Sequence, residues 1–316
     1  MKVLYIAGWG RSGTTIVDNI LGSHESVFSA GELYYLWRRG LGQQRRCGCG
    51  RPLPRCPLWR AVIDLAYGDR DLRAKETNRA QRRSVRVRDT WRLSRGRLDQ
   101  DALRYRDELG RIYAAIAEVT GAELIVDSSK VPAGAAVAAQ IDGIDAYLLQ
   151  MVRDPRAVAY SWMRSKVQTD VTVPRPMNRH SAARSSVNWV AWNLLTEEVA
   201  RRGYAGRFER LRYEDFVTDP QGAIGVVFDL VGLPVRGTPF VDATTVKLGG
   251  NHTVSGNPSR FDTGAVPLRH DDSWTLGQST RDRLISTATS LPLLRRYGYP
   301  LAPRTAPEST RSTMDR

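Results

Sequence analysis

Apolar runs and segments with helical spacing alternate along this chain. Runs rich in Val, Ile, Leu and Tyr predict strands over Lys2–Ala7, 124–126, 146–152 and 208–213. Apolar residues recur at helical spacing between them, as in TTIVDNIL over Thr14–Leu21. Strands that look buried on both faces are typical of a parallel sheet between layers of helices. The pattern predicts an α/β fold of phosphate-loop type, with a mostly parallel sheet flanked by helices on both faces.

The remaining pattern predicts helices and the limits of one domain. Helices are expected at 155–162, 181–202, 220–231 and 281–297, and a turn with a short amphipathic segment at 30–40. We predict a single domain over 1–302 and a disordered tail over 303–316, which has no apolar periodicity. A polar, arginine-dense stretch at 69–111 predicts a helical insertion with solvated faces, or alternatively a mobile flap over an active site.

The net charge of the chain favours one class of ligand but does not identify a particular ligand. The 316 residues carry a formal net charge of +14, which favours anionic ligands. No segment reaches the roughly 20 apolar residues that span a bilayer, and the apolar start is too short for a signal peptide. We therefore expect a cytoplasmic protein, and peripheral membrane contact stays open. The sequence does not indicate an oligomeric state.

The first strand runs into the glycine-rich segment GWGRSGTT, residues 8–15. Strand, glycine loop and helix in this order are the context of a phosphate-binding loop, in which backbone N–H groups surround an anion at a helix N-terminus. A nucleotide-triphosphate loop has lysine before its final Ser or Thr. Thr14 stands there instead, and the positive charge is at Arg11. The loop predicts anion binding without the usual triphosphate lysine.

A second anion-binding segment follows a middle strand. In VRDPRAVAYS, Arg153 stands at a strand end and Ser161 lies about two turns into the next helix, which Asp154 can cap. Carboxyl ends of parallel strands meet at one sheet edge, so both segments should converge there with Asp127–Lys130 and Tyr213. Two separate phosphate sites on one sheet suggest a nucleotide phosphorylated at both its 5′ and 3′ positions.

Two other functions remain open at this point. A phosphate-loop kinase or another nucleotide-triphosphate enzyme would use Asp127 as the acidic strand end for magnesium, but it lacks the loop lysine. A non-catalytic basic module would bind an anionic polymer through residues 70–97, where eleven Lys or Arg stand against three Asp or Glu. An arginine-rich helix is usually a solvated face, and only Trp91 could stack on a base. We therefore expect no nucleic-acid partner.

The segments RSGTT, RDPRAVAYS and RYEDF, in this order and on these elements, resemble the PAPS-dependent sulfotransferases. The bacterial carbohydrate-type branch and the tyrosylprotein sulfotransferases are the most similar, and the resemblance covers nearly the whole chain. It implies transfer of a sulfuryl group from PAPS (3′-phosphoadenosine-5′-phosphosulfate) to an acceptor hydroxyl, less readily an amine, with PAP as product and no metal. An arginine that the tyrosylprotein enzymes carry four residues beyond Ser161 is replaced here by Ser165.

The resemblance also implies the roles of individual residues. The 5′-phosphosulfate would bind the loop, the 3′-phosphate would bind Arg153 and Ser161, and Tyr213 would contact the nucleotide. A late loop would close over the cofactor. The implied cofactor-binding residues are Gly10, Arg11, Ser12, Gly13, Thr14, Thr15, Arg153, Ser161, Tyr213, Ser255, Gly256, Asn257, Pro258, Ser259 and Arg260.

Catalysis requires charge stabilisation and a base. Arg11 is the expected group to stabilise charge on the leaving phosphate, with help from Lys130 and Ser255. Glu32 is the candidate general base, because related enzymes with this loop often carry a catalytic glutamate after it. Asp127 is the reserve, and His24 and His252 are weaker candidates.

Three cysteines lie close together in CGCGRPLPRC: Cys47, Cys49 and Cys56. A structural zinc site needs four ligands, and no histidine is near them in the sequence. We therefore expect no metal, and either buried thiols or one local disulfide.

The acceptor is the least determined part of the function. A glycan, a glycolipid or another hydroxyl-bearing small molecule fits the resemblance. The cysteine segment, residues 37–39 and the basic insertion are expected to shape its pocket, and their charge mildly favours an acidic acceptor.

Overall fold

The computed structural model describes residues 1–68, 70–171, 173–235, 237 and 239–301, without the side chains of residues 70–72. Five parallel strands form the central sheet, in the order β2-β3-β1-β4-β7. Two antiparallel pairs, β5-β6 and β8-β9, lie outside it. The strands are β1 Lys2–Ala7, β2 Val27–Gly31, β3 Leu124–Lys130, β4 Asp145–Val152, β5 Val167–Gln168, β6 Arg175–Pro176, β7 Phe208–Arg212, β8 Thr245–Leu248 and β9 Gly264–Pro267.

Helices connect the strands and cover the sheet. They are α1 Thr14–Leu21, α2 Pro57–Tyr67, α3 Arg70–Ser84, α4 Thr90–Leu93, α5 Gln100–Thr120, α6 Pro132–Ala138, α7 Pro155–Met163, α8 Ala182–Gly203, α9 Tyr213–Thr218, α10 Pro220–Val231, α11 Ser273–Gly277 and α12 Thr280–Arg296. Shorter helical turns cover Leu33–Tyr35, Leu36–Gly42, Leu53–Arg55, Val87–Asp89 and Pro258–Phe261. The predicted α/β class with a mostly parallel sheet is confirmed.

Most of the core lies in two layers, one on each face of the sheet, and a third cluster joins the end of β4 to α7, α8 and α12. Strand β1 shows the division, because its side chains alternate between the faces. Val3 and Tyr5 belong to the cluster under α2, α5 and α6. Leu4 and Ile6 belong to the cluster under α1 and α10. Burial on both faces explains why this strand is a continuous apolar run in the sequence.

Several predicted helix starts follow from capping. The Asp154 carboxylate accepts a hydrogen bond from the Arg156 amide at the start of α7, as expected. The Asp219 side chain caps α10 in the same way, and the Ser181 side chain caps α8. These residues fix where helices begin after the strands, and therefore which residues lie at the sheet edge.

The prediction of a turn at residue 30 is wrong. Val27–Gly31 forms the edge strand β2, which pairs with β3. Ser29 interrupts the apolar run but is satisfied inside the fold, where its hydroxyl donates to the Asp18 carboxylate at 2.5 Å. The strand depends on pairing with a segment about a hundred residues later, a signal absent from local periodicity.

The described part of the basic stretch, residues 70–111, is mostly helical, as predicted, and it packs on the core. Among its described side chains, Val85, Leu93 and Tyr105 belong to the main core cluster. The Gln81 amide donates to the Tyr34 carbonyl at 2.7 Å, and the Tyr34 hydroxyl donates to the Val85 carbonyl at 2.6 Å. The segment therefore supports residues 33–42. Its status as an insertion stays a prediction, and the predicted tail 303–316 lies outside the described residues.

Candidate functional site

A cavity of about 500 Å³ lies at the carboxyl ends of β1, β3 and β4. The segments predicted to converge do so, because parallel strands end at the same sheet edge. Of the predicted site residues, those that line the cavity are Gly10, Arg11, Gly13, Thr14, Thr15, Glu32, Lys130, Arg153, Ser161, Tyr213, Gly256, Asn257 and Ser259.

The glycine loop is closely packed by its neighbours. Gly13 has φ +85°, and a Cβ there would lie 2.5 Å from the ring of Tyr213. A Cβ on Gly10 would lie 2.8 Å from the indole of Trp162. The loop therefore needs glycine at both positions, and it leads directly into α1 at Thr14. Backbone N–H groups at such a helix start favour an anion.

Arg11 points into the cavity with donor capacity to spare. Its Nη1 is buried and has no hydrogen-bond partner among the described residues. Its other contacts are weak: the guanidinium lies 4.9 Å from the Trp162 ring centre, and Nη2 lies 3.7 Å from the Met177 sulfur. Burial lowers the pKa of the Arg11 guanidinium. A buried, unsatisfied cationic donor is suited to an anionic ligand.

Arg153 links the second predicted phosphate site to the glycine loop. Its Nη1 donates to the Arg11 carbonyl at 3.3 Å, and its guanidinium lies 4.5 Å from the Tyr213 ring centre. Ser161 is buried on α7 and lines the same cavity. Arg153 also pairs with the Asp271 carboxylate at 3.1 Å, a contact that the sequence did not indicate. Asp271 thus occupies a donor of the arginine that would hold a phosphate.

Glu32 sits between two cations at the other side of the cavity. The Lys130 ammonium donates to its carboxylate, and an Arg39 nitrogen lies 3.7 Å away. Burial raises the pKa of the Glu32 carboxyl, but Lys130 and Arg39 outweigh it, so the pKa lies below its ordinary value. Glu32 is therefore ionised near neutral pH, as a proton acceptor must be.

Three of the predicted catalytic residues have left-handed backbone conformations. Arg11 has φ +76°, Lys130 +71° and Ser255 +56°, and among the described residues only Gln44 is a further non-glycine case. Such conformations cost about 1–3 kcal/mol each and cluster at functional sites. Backbone strain therefore occurs at three residues that the sequence predicts to be catalytic for reasons unrelated to backbone conformation.

The late loop contributes to the site in two ways. Gly256, Asn257 and Ser259 line the cavity, whereas the Arg260 guanidinium turns inward and donates to the carbonyls of Thr253 and Arg46. The Ser255 hydroxyl accepts from Arg39 at 2.8 Å. Pro258 begins a helical turn, and Ser12 donates to the Trp9 carbonyl at 2.8 Å. Ser12, Ser255, Pro258 and Arg260 therefore support the walls of the cavity rather than line them.

Comparison with known proteins decides which family this site belongs to. The model of the sulfotransferase family matches residues 4–237. The chain belongs to that family.

Two solved structures extend the likeness of fold over nearly the whole chain. A sulfotransferase domain from the curacin biosynthetic pathway has a TM-score of 0.53 at 17% identity, covering 95% of this chain and 99% of that one. A sulfotransferase domain from the Synechococcus PCC 7002 olefin synthase has a TM-score of 0.52 at 18% identity, covering 96% of each chain. The comparison with curated proteins found no match.

Asp127, the second candidate for the general base of this sulfotransferase, is hydrogen-bonded outside the cavity. Asp127 is buried and accepts from the Tyr113 hydroxyl at 2.7 Å and from the Ser129 amide at 3.0 Å. It does not line the cavity. Burial raises the pKa of its carboxyl to about 6. The His24 ring nitrogen accepts from the Ser26 amide at 3.2 Å, also away from the cavity.

Sequence reasoning missed several residues that line the cavity of the sulfotransferase. Lys166 is half-buried there, and burial together with Arg11 and Arg164 lowers the pKa of its ammonium to about 8. Tyr35 also lines it, with the Arg39 guanidinium 3.6 Å from its ring centre. Arg39 was not missed, because it belongs to residues 37–39, which the sequence predicts to shape the acceptor pocket. The signal for Lys166 was available, because it lies one residue beyond the position of the unmatched arginine.

The cysteines correct one prediction. All three are free, so of the two expected alternatives the local disulfide is not formed, and buried thiols are found at Cys47 and Cys56. The expectation that no histidine lies near them fails in three dimensions, because His252 Nδ1 is 3.2 Å from the Cys56 sulfur and 3.7 Å from that of Cys47. About two hundred residues separate these groups, which is why spacing could not reveal the contact.

Within the described residues, no helix is long and apolar enough to cross a bilayer.

Proposed function

We propose that this sulfotransferase moves a sulfuryl group from PAPS to the hydroxyl of a glycan, a glycolipid or another small acceptor, without a metal. The observation that carries the proposal is the convergence of two anion-binding segments on one cavity. The loop with Arg11 forms one wall, and Arg153 with Ser161 and Tyr213 forms another. A donor phosphorylated at both ends requires two such sites.

The residues present fit this donor. Arg11 Nη1 is buried and unpaired among the described residues, which suits a phosphosulfate. The close packing of Gly10 and Gly13 leaves bare backbone facing the cavity. When bound, PAPS supplies a sulfuryl group that passes in line to the acceptor oxygen, with PAP as the leaving group.

The residues of the chain have distinct parts in this reaction. Arg11 stabilises negative charge as it develops on the leaving phosphate. Lys130, which is hydrogen-bonded to Glu32, helps to stabilise the same charge from the side of the base. Glu32 accepts the proton of the acceptor hydroxyl. Ser255 positions Arg39, which in turn faces Glu32. Arg153 and Ser161 hold the 3′-phosphate and orient the donor.

The charges of the cavity wall favour an acidic acceptor. Arg39 and Lys166 line the cavity beside Glu32 and Arg11 respectively. Cations that line a cleft attract anionic substrates. Peripheral membrane contact with a glycolipid acceptor and a cytoplasmic location both stay predictions.

A nucleotide-triphosphate enzyme is the less supported candidate. It would need an acidic strand end that faces the loop for magnesium. Asp127 is instead held by Tyr113 and Ser129 outside the cavity. Thr14 also replaces the loop lysine.

Ligand-dependent thermal stability tests the proposal. A ligand that binds only the folded chain stabilises it, by about 2.7 kcal/mol at one hundred times its Kd. We expect PAP without magnesium to raise Tm, and ATP with magnesium or an oligonucleotide to have little effect. A clear rise with ATP and magnesium and none with PAP would overturn the proposal. Labelled PAPS, incubated with candidate acceptors, then identifies the acceptor class.

A further inference from the structure

A cluster of metal-binding side chains lies outside the cavity. It consists of Cys47, Cys49, Cys56 and His252, whose ligand atoms all lie within 4.8 Å of one another. His252 Nδ1 is 3.2 Å from the Cys56 sulfur and 3.7 Å from the Cys47 sulfur. In tetrahedral zinc sites, bond lengths of about 2.3 Å to sulfur and 2.0 Å to nitrogen place sulfur and nitrogen about 3.5 Å apart. The observed spacing therefore brackets the value that zinc requires.

The backbone around the cluster is built to hold these side chains together. The Cys47 amide donates to the Arg51 carbonyl at 2.8 Å, which closes a turn over residues 47–51. In this turn the Cys49 sulfur lies within 4.8 Å of the other three ligand atoms. The Gly48 amide donates to the Thr253 carbonyl at 3.0 Å, and a Cβ on Gly48 would lie 1.8 Å from the Asn251 side chain. Close approach of the two segments thus depends on glycine at this position.

The histidine is fixed from the other side as well. The Trp59 indole N–H donates to the His252 carbonyl at 2.6 Å. Cys47 and Cys56 are fully buried, and Cys49 is more exposed. The four ligands come from two segments that side-chain and backbone hydrogen bonds hold together.

We propose that Cys47, Cys49, Cys56 and His252 bind one zinc ion in a closed structural site. Three thiolates and one imidazole form the soft donor set that selects zinc. Because four protein ligands complete a tetrahedron, no position is left for a substrate, and the ion acts on the fold rather than on the reaction. The site is independent of the proposed sulfuryl donor and acceptor.

The place of the site in the fold indicates what the zinc ion holds. Next to His252, Val254 donates its amide to the Ala30 carbonyl at 2.8 Å and accepts from the Glu32 amide at 2.7 Å. The same loop continues to Gly256 and Asn257, which line the cavity. Zinc would therefore fasten the late loop, and with it the backbone of Glu32, to the segment 47–56.

Metal analysis of the purified chain tests the proposal. The chain is expressed with added zinc, and weakly bound metal is removed by gel filtration. Inductively coupled plasma mass spectrometry should then find about one zinc ion per chain. His252→Ala and Cys56→Ser should lose most of it. His270→Ala is the matched control, because His270 is exposed and its ring contacts Thr218. Zinc content below about one tenth per wild-type chain, or full retention in His252→Ala, would overturn the site.

Two measurements on the wild-type chain keep the test valid if the variants do not fold. Cobalt(II) added to the chelator-treated protein should produce a thiolate-to-cobalt charge-transfer band and the intense visible absorption of a tetrahedral site. Thiol reagents should modify the three cysteines only after chelation. A non-reduced chain that shows a single thiol after denaturation holds a disulfide, and this result would refute the proposal.

Hydrogen exchange then locates the effect of the ion. The amides of residues 252–257 should exchange faster after chelation, while those of β4 on the far side of β1 should keep their protection. Equal exchange in both states at residues 252–257 would contradict the role assigned to the zinc.

Discussion

The Lys130 ammonium donates a hydrogen bond to the Glu32 carboxylate across the ends of β2 and β3, although 98 positions separate the two residues in the chain. Both side chains line the cavity. The pair keeps the Glu32 carboxyl ionised, since Lys130 and Arg39 lower its pKa against the effect of burial. The hydrogen bond therefore links the proposed base, Glu32, to a cation on the side of the cavity where the sulfuryl donor would bind.

Glu32→Gln should remove the proton acceptor and preserve the shape of the side chain. We expect turnover to fall at least about 100-fold, since general bases contribute about 10²–10⁴-fold. Affinity for PAP should change little. Sulfuryl transfer from labelled PAPS and calorimetric titration with PAP measure the two quantities. Glu25→Gln, at an exposed position, is the control. Near-normal turnover of Glu32→Gln would mean that another group is the base.

Arg11→Ala should damage turnover more than PAP binding. In the proposed reaction the Arg11 guanidinium stabilises charge that grows only in the transition state, and loss of such a donor costs about 10²–10³-fold in kcat. Steady-state kinetics and PAP titration separate the effects. Equal losses in kcat and in PAP affinity would assign Arg11 to ground-state binding instead.

Arg153→Ala should weaken PAP binding strongly. Hydrogen bonds to charged groups contribute about 1.5–3 kcal/mol, which corresponds to a loss of at least about tenfold in affinity. Calorimetric titration with PAP measures it. Arg295→Ala, an exposed arginine on α12, provides the comparison. An unchanged Kd would remove Arg153 from the phosphate site.

Asp271→Asn should strengthen PAP binding. Burial raises the pKa of the Asp271 carboxyl, but hydrogen bonds from Ser273 and Arg153 lower it below its ordinary value. The carboxylate is therefore charged at neutral pH and competes with a phosphate for Arg153. Removal of that charge should tighten binding about threefold to tenfold, or about 1 kcal/mol for a partly exposed pair. Weaker binding would show that Asp271 positions the arginine for its ligand.

PAP affinity should fall as pH rises above about 8. In the free protein the pKa of Lys166 is lowered to about 8, first by burial and then by Arg11, Arg164 and Arg153. Only the protonated ammonium attracts an anion, so binding above this pH takes up a proton. Titrations between pH 7 and pH 10 should show a decline of at most about tenfold per pH unit. Lys166→Met should flatten this slope, whereas exposed Lys247→Met should not.

The strand–loop–helix order and the glycine loop could be predicted because their signals are local. The buried run of β1 has an apolar residue at nearly every position, and Gly13 needs a conformation that L side chains rarely adopt. Arg153 and Asp154 mark a strand end and a helix start within two residues. Sheet topology then requires that such ends share an edge.

Strand β2 was not predictable in this way. Its five residues include Ser29 and Gly31, and its stability comes from pairing with β3 and from the Asp18–Ser29 hydrogen bond. Asp271 could not be assigned either, because nothing in its neighbourhood in the sequence points to Arg153. For Lys166 the sequence offered only its position one residue beyond that of the unmatched arginine.

The sequence by itself determined the α/β class, the two segments predicted to bind anions and the candidates Arg11, Arg153 and Glu32. Tertiary structure decided which side chains meet: Lys130 with Glu32, Asp271 with Arg153, and His252 with the three cysteines. Periodicity and capping act over a few residues and are visible in the sequence. Contacts between residues a hundred or more positions apart depend on strand order and helix packing, so they exist only once the chain has folded.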